Sequence, residues 1–473
     1  MYQLVPSISP VIFRGYDIRG LVGSELTEDV YYTLGRAYAT FLRKRRVREA
    51  TVGMDNRLSS EVFAKAFRQG LNDGGVDSIF LGLSLSQIVY FSSYECKTKG
   101  AAMITASHNP KEFNGLKLGT GYSETMETAE INEYKEIVRN GKFSEGRGTD
   151  RTIDIFESYA HHLLKHFSLT KKWKVVIDAC STGSGVFYPQ LFEQAGCEVV
   201  RQNCEPDGNF PSGVPDPTES EVLERLAARV LAEKADIGFA YDTDGDRMAC
   251  VDSTGQVLYM DQIIALFVKD VLSTMPNAPI IFNTLCSQVV RETIVSQGGK
   301  PIMWVTGHSF IKAKVKEEKA PFGGELSGHI YFTDNFYGHD DGAYASLRLL
   351  QYLESKNHSL NQEIAVLPKF ISSPEIKLGL ADAIKFEVIK TQIAPVFHQK
   401  WPTALFTEID GVRAEENGNM VIIRASQNGP YITIKFESKT QQGYDELKKD
   451  IRELLHSIPE IDWSKGVNIH AFE

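Results

Sequence analysis

The stretch Gly100-Ala-Ala-Met-Ile-Thr-Ala-Ser-His-Asn-Pro110 indicates both the class of fold and the position of a reactive group. Its apolar beginning predicts a buried strand, and Asn109-Pro110 predicts the turn that ends it. Ser107 therefore lies on a loop after a strand, where open α/β sheets bind their ligands. With His108 beside it and Lys117 shortly after, the loop has groups suited to phosphoryl transfer. A capped turn with a solvent-facing serine is the alternative interpretation.

A second polar loop, Tyr241-Asp-Thr-Asp-Gly-Asp-Arg247, follows another apolar run. It carries three alternating carboxylates, Asp242, Asp244 and Asp246. Carboxylates this close repel one another unless a hard cation neutralises them, and ligation by oxygen alone suits Mg²⁺. An EF-hand calcium loop is excluded, because its sixth and twelfth positions would hold Arg247 and Ser253 instead of Gly and Glu. A solvated acidic turn is the weaker alternative after an apolar strand.

These two loops together resemble those of the α-D-phosphohexomutases, the bacterial phosphomannomutase/phosphoglucomutase enzymes. Three further segments agree with the family's motifs in the family's order. They are Phe13-Arg-Gly-Tyr-Asp-Ile-Arg-Gly20, Gly324-Glu-Leu-Ser-Gly-His329 and Arg424-Ala-Ser-Gln-Asn-Gly-Pro430. The resemblance spans nearly the whole chain, and five motifs in order are far more specific than any one of them.

The resemblance implies reversible phosphoryl transfer between the 1- and 6-positions of mannose or glucose phosphates. Ser107 would carry the phosphoryl group and hold one Mg²⁺ together with Asp242, Asp244 and Asp246. Glucose 1,6-bisphosphate or mannose 1,6-bisphosphate would act as activator. The alternatives are a phosphoglucosamine mutase, a sugar-phosphate phosphatase and a non-catalytic sugar-phosphate-binding protein.

The family's roles for single residues are carried over by position. Lys117 is the candidate general base and His329 the candidate acid, while Arg247 and Arg19 would supply positive charge and orientation. His108 would support the metal loop or carry protons. The implied substrate-binding residues are Tyr16, Arg19, His308, Glu325, Ser327, His329, Arg424, Ser426, Gln427 and Asn428.

Two positions depart from the family's usual sequence. Leu285 stands where the family usually has lysine, and Gln427-Asn428 replaces Asn-Thr. The missing cation is expected to weaken binding of glucose and mannose phosphates equally, which predicts dual specificity with reduced efficiency. Polar contacts are retained at the second position, so its phosphate-binding role is kept.

Composition limits the class of protein. The chain has 473 residues and a net charge of −10, from 51 basic and 61 acidic residues. This charge argues against non-specific nucleic-acid binding and requires local cations around an anionic substrate. The six cysteines form no CxxC pair, so neither a zinc site nor a disulfide framework is expected. Without a signal-like or membrane-spanning apolar run, we expect a cytoplasmic protein, and a monomer or weak dimer.

The order of predicted strands and helices indicates three similar mixed α/β domains followed by a smaller α+β domain. The predicted boundaries are 1–150 for the domain with the phosphoserine loop, 151–253 for the domain with the metal loop, 254–365 for the domain with the sugar-recognition loop, and 366–473 for the phosphate-binding domain.

Overall fold

A computed structural model describes residues 2–473. The chain forms two compact units, and each is made of two separate stretches of sequence. The first unit comprises Met1–Met260 and Ser327–Ala365, and the second comprises Asp261–Leu326 and Val366–Glu473. The predicted fold class is confirmed: three α/β/α domains are followed by an α+β domain. The domain boundaries stay predictions.

The amino-terminal sheet positions the serine loop. Its strand order is β1-β5-β4-β2-β3-β7, with β6 paired to β5. Strands β2, β3, β4 and β7 run parallel, whereas β5 runs antiparallel to β4 and to β1. The strands are β1 (Ile18–Leu21), β2 (Glu49–Met54), β3 (Asp77–Leu83), β4 (Gly100–Ile104), β5 (Phe113–Gly121), β6 (Glu124–Thr125) and β7 (Asp150–Thr152).

Four helices accompany this sheet: α1 (Glu28–Lys44), α2 (Ser60–Asp73), α3 (Ser86–Glu95) and α4 (Thr128–Asn140). Helix α1 shows how the local sequence sets the boundaries of an element. The Thr27 side chain accepts a hydrogen bond from the Val30 amide, and acidic residues occupy the first turn. Arg43 and Lys44 occupy the last turn, where cations complement the helix dipole. Arg43 and Lys44 are therefore explained by their position at the carboxyl end of α1.

The second sheet positions the acidic loop. Its order is β12-β11-β10-β8-β9, in which β10, β8 and β9 are parallel and β11 and β12 are antiparallel additions. The elements are α5 (Phe156–Leu164), β8 (Lys174–Asp178), α6 (Ser184–Gln194), β9 (Glu198–Gln202), α7 (Ser220–Glu233), β10 (Ile237–Tyr241), β11 (Met248–Asp252) and β12 (Val257–Leu258).

The remaining elements of the α/β domains follow in order. In the second unit, β13 pairs in parallel with β14 on one side and with β15 on the other. The elements are α8 (Met260–Thr274), β13 (Pro279–Asn283), α9 (Gln288–Ser296), β14 (Lys300–Trp304), α10 (His308–Glu317) and β15 (Phe322–Gly324). The chain then enters the first unit with β16 (Ile330–Phe332), α11 (Gly342–Lys356) and α12 (Leu360–Ala365).

The carboxy-terminal domain is an antiparallel sheet of order β19-β20-β21-β22-β18-β23, with β17 paired to β22. Its strands are β17 (Ile371–Ser372), β18 (Ile376–Gly379), β19 (Leu405–Thr407), β20 (Val412–Glu416), β21 (Asn419–Ala425), β22 (Tyr431–Ser438) and β23 (Asp462–Val467). Its helices are α13 (Lys385–Val388), a π-helical turn at Ile389–Ile393, α14 (Ala394–Lys400) and α15 (Gln441–His456). Among residues 2–473, no helix combines the length and apolar character needed to cross a membrane.

Candidate active site

The Ser107 loop lies between β4 and β5, as the sequence predicted. Ser107 is buried, with a backbone φ of +48°, a left-handed conformation that serine adopts rarely. Its amide donates a hydrogen bond of 2.9 Å to Thr105 Oγ1. Strand β5 then runs back along β4, which brings Lys117 opposite Met103. The turn and the returning strand thus place the hydroxyl and the ammonium at the same end of the sheet.

The acidic loop connects β10 to β11. Gly245 has a φ of +71°, which only glycine adopts without strain, and Tyr188 Oη donates a hydrogen bond of 2.5 Å to its carbonyl. The serine and acidic loops meet directly, because Ser107 Oγ donates a hydrogen bond of 2.8 Å to Asp242 Oδ2. The two stretches predicted to act together are therefore in contact within the first unit.

Lys117 closes the other side of the acidic loop. Its Nζ lies 2.7 Å from Asp244 Oδ2 and 2.5 Å from Asp246 Oδ2. Ser86 Oγ also donates a hydrogen bond of 2.6 Å to Asp244 Oδ2. Burial lowers the pKa of Lys117, but the two carboxylates outweigh it and raise this pKa well above its usual value. In this arrangement Lys117 is an ammonium, which can donate a proton but cannot accept one.

The acidic loop has the chemistry of a divalent-cation site. One oxygen from each of Asp242, Asp244 and Asp246 lies within 4.8 Å of the others. Asp244 Oδ1 and Asp246 Oδ1 are buried and, within residues 2–473, have no hydrogen-bond partner. Burial and the neighbouring carboxylates Asp244 and Asp246 raise the pKa of Asp242 well above its usual value. A hard divalent cation would offset this charge with the oxygen ligands that it prefers.

Arg247 and His329 form a pair beside this loop. Arg247 Nε donates a hydrogen bond of 2.9 Å to His329 Nε2, and His329 Nδ1 lies 2.8 Å from Asp340 Oδ2. The same nitrogen is 3.6 Å from Asp246 Oδ1. Burial lowers the pKa of Arg247, but Asp216, Asp242 and Asp246 raise it above its usual value. Arg247 is therefore a permanent cation next to the candidate acid.

Two further predicted residues of the first unit, Arg19 and His108, contact the serine loop. Arg19 forms an ion pair of 2.9 Å with Asp17, and it donates hydrogen bonds to Ala106 O and, over 3.2 Å, to Asn109 Oδ1. His108 Nδ1 lies 3.3 Å from Ser107 Oγ. Tyr16 is buried, and Ser327 is half-buried.

Two residues of this site were missed by the sequence analysis. Ser86, at the start of α3, bonds Asp244 as described. Arg57 donates hydrogen bonds of 2.6 Å each to the carbonyls of Ser107 and Asn109. A signal for Arg57 was present: the polar run Asp55-Asn-Arg57 directly follows β2, the parallel neighbour of β4. The carboxyl ends of parallel neighbours meet at the same edge of a sheet.

The predicted sugar-binding loop begins in the second unit. Glu325 is buried, and its Oε1 accepts a hydrogen bond of 2.7 Å from the Gly307 amide. His308, the first residue of α10, is buried next to that glycine. Glu325 and His308 thus belong to one local structure, although they are distant from each other in sequence.

The predicted phosphate clamp forms a second local structure in this unit. Arg424 Nε donates a hydrogen bond of 2.8 Å to Asp410 Oδ2, which also accepts from Thr284 Oγ1 at 3.0 Å and from the Thr306 amide at 2.9 Å. Asp410 therefore fixes Arg424 to the ends of β13 and β14. Carboxylate pairing through Nε orients the planar guanidinium.

The turn after Arg424 is held by its own hydrogen bonds. Ser426 Oγ accepts a bond of 3.1 Å from the Asn428 amide, and Lys385 Nζ donates to the carbonyls of Ser426 and Gly429 at 2.5 and 2.8 Å. Gln427 is half-buried. Lys385 was not predicted, because nothing in its local sequence connects it to this turn.

Comparison with known proteins agrees with this geometry. The family models for phosphoglucomutase/phosphomannomutase α/β/α domains I, II and III match residues 10–145, 157–255 and 259–370. A phosphomannomutase/phosphoglucomutase from Pseudomonas aeruginosa is 36% identical over 453 residues, covering 96% of this chain and 97% of that protein. A phosphoglucomutase from Neisseria gonorrhoeae is 34% identical over 97% of this chain and 99% of that protein.

A crystal structure of a phosphoglucomutase/phosphomannomutase family protein from Burkholderia thailandensis has the same fold. Its TM-score is 0.87 at 32% identity, with 95% of this chain and 98% of that chain covered. The fold and the site thus define an isomerase that acts on hexose phosphates. More specifically, the chain belongs to the bacterial phosphomannomutase/phosphoglucomutase family of α-D-phosphohexomutases.

Proposed function

We propose that this enzyme interconverts the 1- and 6-phosphates of glucose and mannose through a phosphoserine at Ser107. The contact between Ser107 Oγ and Asp242 Oδ2, 2.8 Å long, carries the proposal. It places a hydroxyl, which is a poor nucleophile alone, against carboxylates suited to a divalent cation. Family membership supports hexose-phosphate mutase activity, and the names of the relatives support these two sugars.

In the proposed cycle, the bond from phosphorus to Ser107 Oγ breaks as a bond to a sugar hydroxyl oxygen forms. The hydroxyl proton leaves to a base, and Ser107 regains its hydroxyl proton. The resulting bisphosphorylated sugar turns around and returns its other phosphoryl group to Ser107. Glucose 1,6-bisphosphate or mannose 1,6-bisphosphate would activate unphosphorylated enzyme by the same transfer.

We propose Mg²⁺ as the cation held by Asp242, Asp244, Asp246 and the phosphorylated Ser107. It would offset charge on the transferring phosphoryl group. Arg247 and Arg19 would add positive charge and orientation from their buried positions, and His108 would support the loop or carry protons.

The proton-transfer roles of Lys117 and His329 make different demands on their surroundings. Lys117 can accept a proton only when Asp244 and Asp246 no longer hold its ammonium, for example when their oxygens bind a cation. His329 Nε2 accepts a hydrogen bond from Arg247 Nε in this structure, so a role as acid requires that bond to be released, while Asp340, 2.8 Å from Nδ1, would orient the ring.

We propose that the sugar hydroxyls are bound by Glu325 and Ser327, and that Tyr16 and His308 contribute further contacts. The phosphate that is not reacting would be held by the clamp around Arg424. Its members are Arg424, Ser426, Gln427 and Asn428. A guanidinium with a hydroxyl and amides is a common phosphate-binding set. We further propose a cytoplasmic monomer or weak dimer.

A coupled assay with glucose 1-phosphate and mannose 1-phosphate, with catalytic glucose 1,6-bisphosphate, tests this proposal. We expect formation of both 6-phosphates, dependent on the bisphosphate and on Mg²⁺. Release of inorganic phosphate without isomerisation would indicate a phosphatase instead. Turnover of glucosamine phosphate in preference to both sugars would indicate an amino-sugar mutase. Binding of the sugar phosphates without turnover would indicate a non-catalytic binding protein.

A further inference from the structure

The two terminal nitrogens of Arg57 bond the backbone of the segment that carries Ser107, and Nε bonds Asp55. Its Nη1 donates to the carbonyls of Pro110 and Phe113 at 2.7 and 3.0 Å. Its Nη2 donates to the carbonyls of Ser107 and Asn109 at 2.6 Å each. Its Nε donates to Asp55 Oδ2 at 3.0 Å. A guanidinium has five N–H donors, so these five bonds leave none for a substrate phosphate.

The guanidinium is itself anchored from the other side. Asp55 also accepts hydrogen bonds from the Arg57 amide at 3.1 Å and from Ser60 Oγ at 2.5 Å. The Asp55 amide donates to Ile104 O at 2.9 Å, which joins the end of β2 to the end of β4. Arg57, only 3% exposed, is thus held rigidly by its own strand end and by the first residue of α2.

The serine loop, whose carbonyls Arg57 bonds, has a backbone conformation that is unfavourable without stabilising contacts. The φ of +48° at Ser107 is uncommon for a residue with a side chain, and such conformations persist only where the surroundings over-determine them. The carbonyls of residues 107, 109 and 110 all point toward one cation, an arrangement in which their dipoles would repel each other without it. The guanidinium of Arg57 supplies the positive charge and the planar arrangement of N–H donors that these converging carbonyls require.

We propose that Arg57 is a positioning residue for phosphoryl transfer, which holds Ser107 Oγ in line with the acidic loop by bonding the backbone of the serine loop. This inference rests on the proposed function, in which Ser107 carries the phosphoryl group. Through its donors Arg57 contacts none of Asp242, Asp244 and Asp246, and all five donors are occupied, so we infer that it acts on the reaction through the position of Ser107. Lysine, with three donors and no planar fork, cannot reproduce the five bonds.

The test compares Arg57→Lys with Arg43→Lys in the full-length enzyme. Arg43 is a matched control, because it donates to the carbonyls of Gly74 and Glu145 elsewhere in the same domain. We expect Arg57→Lys to lower kcat by about 100-fold, the usual effect of a small misplacement of reacting groups, and to change KM by less than about threefold. Arg43→Lys should leave both parameters unchanged.

Phosphorylation of Ser107 provides a second measurement that does not depend on turnover. Wild-type and variant enzymes are mixed with glucose 1,6-bisphosphate, and intact mass follows the added phosphoryl group over time. We expect Arg57→Lys to acquire it at least about tenfold more slowly than the wild type, while circular dichroism shows a folded protein. If Arg57→Lys does not fold, Asp55→Asn, which loosens the anchor of Arg57 at constant size, is expected to slow phosphorylation likewise.

The possible outcomes separate the two proposals. A raised KM with unchanged kcat would show that Arg57 binds substrate, and unchanged kcat and phosphorylation with a lowered Tm would show a purely structural role. Either result overturns the positioning role while the phosphoserine mechanism stands. A wild-type enzyme that takes up no phosphoryl group at Ser107 would overturn the proposed function and this inference with it.

Discussion

Ser107 Oγ and Asp242 Oδ2 are 2.8 Å apart, although 135 residues separate them in the chain. The hydrogen bond joins loops from two different sheets and is buried. Burial and two carboxylate neighbours, Asp244 and Asp246, raise the pKa of Asp242. A phosphoryl group on Ser107 would add further negative charge at the same place, which increases the need for a cation.

Replacement of Ser107 by alanine removes the proposed phosphoryl carrier. We expect mutase activity to fall by at least about 10⁴-fold, because loss of a covalent nucleophile disables the remaining catalytic groups as well. The coupled assay and intact-mass spectrometry check this, with partial phosphorylation expected only in the wild type. Ser144→Ala is the control, since Ser144 Oγ bonds Gly74 O away from the acidic loop. Undiminished activity of Ser107→Ala would contradict the phosphoserine mechanism.

Removal of the divalent cation should abolish activity. We expect EDTA to inactivate the enzyme and Mg²⁺ to restore it, because the acidic loop offers buried oxygens without hydrogen-bond partners among the described residues. Asp244→Asn should mimic chelation, with activity lowered by about 100-fold or more that added Mg²⁺ does not recover. Full activity after thorough chelation would rule out a catalytic role for a cation here.

Leu285→Lys tests the largest departure from the family. A restored charged hydrogen bond contributes about 1.5–3 kcal/mol, so we expect kcat/KM to rise by a similar factor for glucose and mannose 1-phosphates. Leu285 is only 3% exposed, and Arg413 bonds the carbonyls on either side of it, so a buried ammonium should also lower Tm. Leu285→Met is the apolar control and should leave both sugars unaffected. Glucose and mannose differ only in the configuration of the hydroxyl on the second carbon. A gain confined to one sugar would therefore show that residue 285 contacts that hydroxyl.

The raised pKa of Asp341 is expected to make the free energy of unfolding depend on pH. Burial raises the pKa of this carboxyl to about 7, and its oxygens accept hydrogen bonds from Tyr159 Oη and the Tyr344 amide. The Asp341 carboxyl binds its proton more tightly in the folded state than in the unfolded state. Its contribution to the free energy of unfolding is therefore complete below about pH 4, where both states are protonated, and is lost as the pH rises to about 7. The loss is on the order of 4 kcal/mol.

Asp341→Asn stays neutral throughout this range and can still cap α11. We therefore expect its free energy of unfolding to decline less than that of the wild type between pH 5 and pH 8. Urea denaturation of both proteins at the two pH values measures the difference. An equal decline in both would show that folding does not raise the pKa of Asp341.

The local sequence was sufficient to predict the fold class, which the structure confirms, and to indicate the two loops that we propose to carry the chemistry. Short apolar runs that end in polar turns identify strand ends, and strand ends are where α/β sheets carry ligands, so local pattern alone made Ser107 and the three aspartates candidates. The family resemblance, carried by five motifs in order, added the reaction. Each of these signals lies within a few consecutive residues.

Only the tertiary structure showed which residues hold these loops in place. Lys385 bonds the carbonyls of Ser426 and Gly429, and nothing in its local sequence indicates these contacts. The polar run after β2 marked the strand end that carries Arg57, but it did not indicate which backbone carbonyls Arg57 would bond. The ammonium state of Lys117 was likewise hidden, because it depends on two carboxylates more than 125 residues away that approach within 2.7 Å. Electrostatic energy depends on distance through space, and distance along the chain does not reveal it.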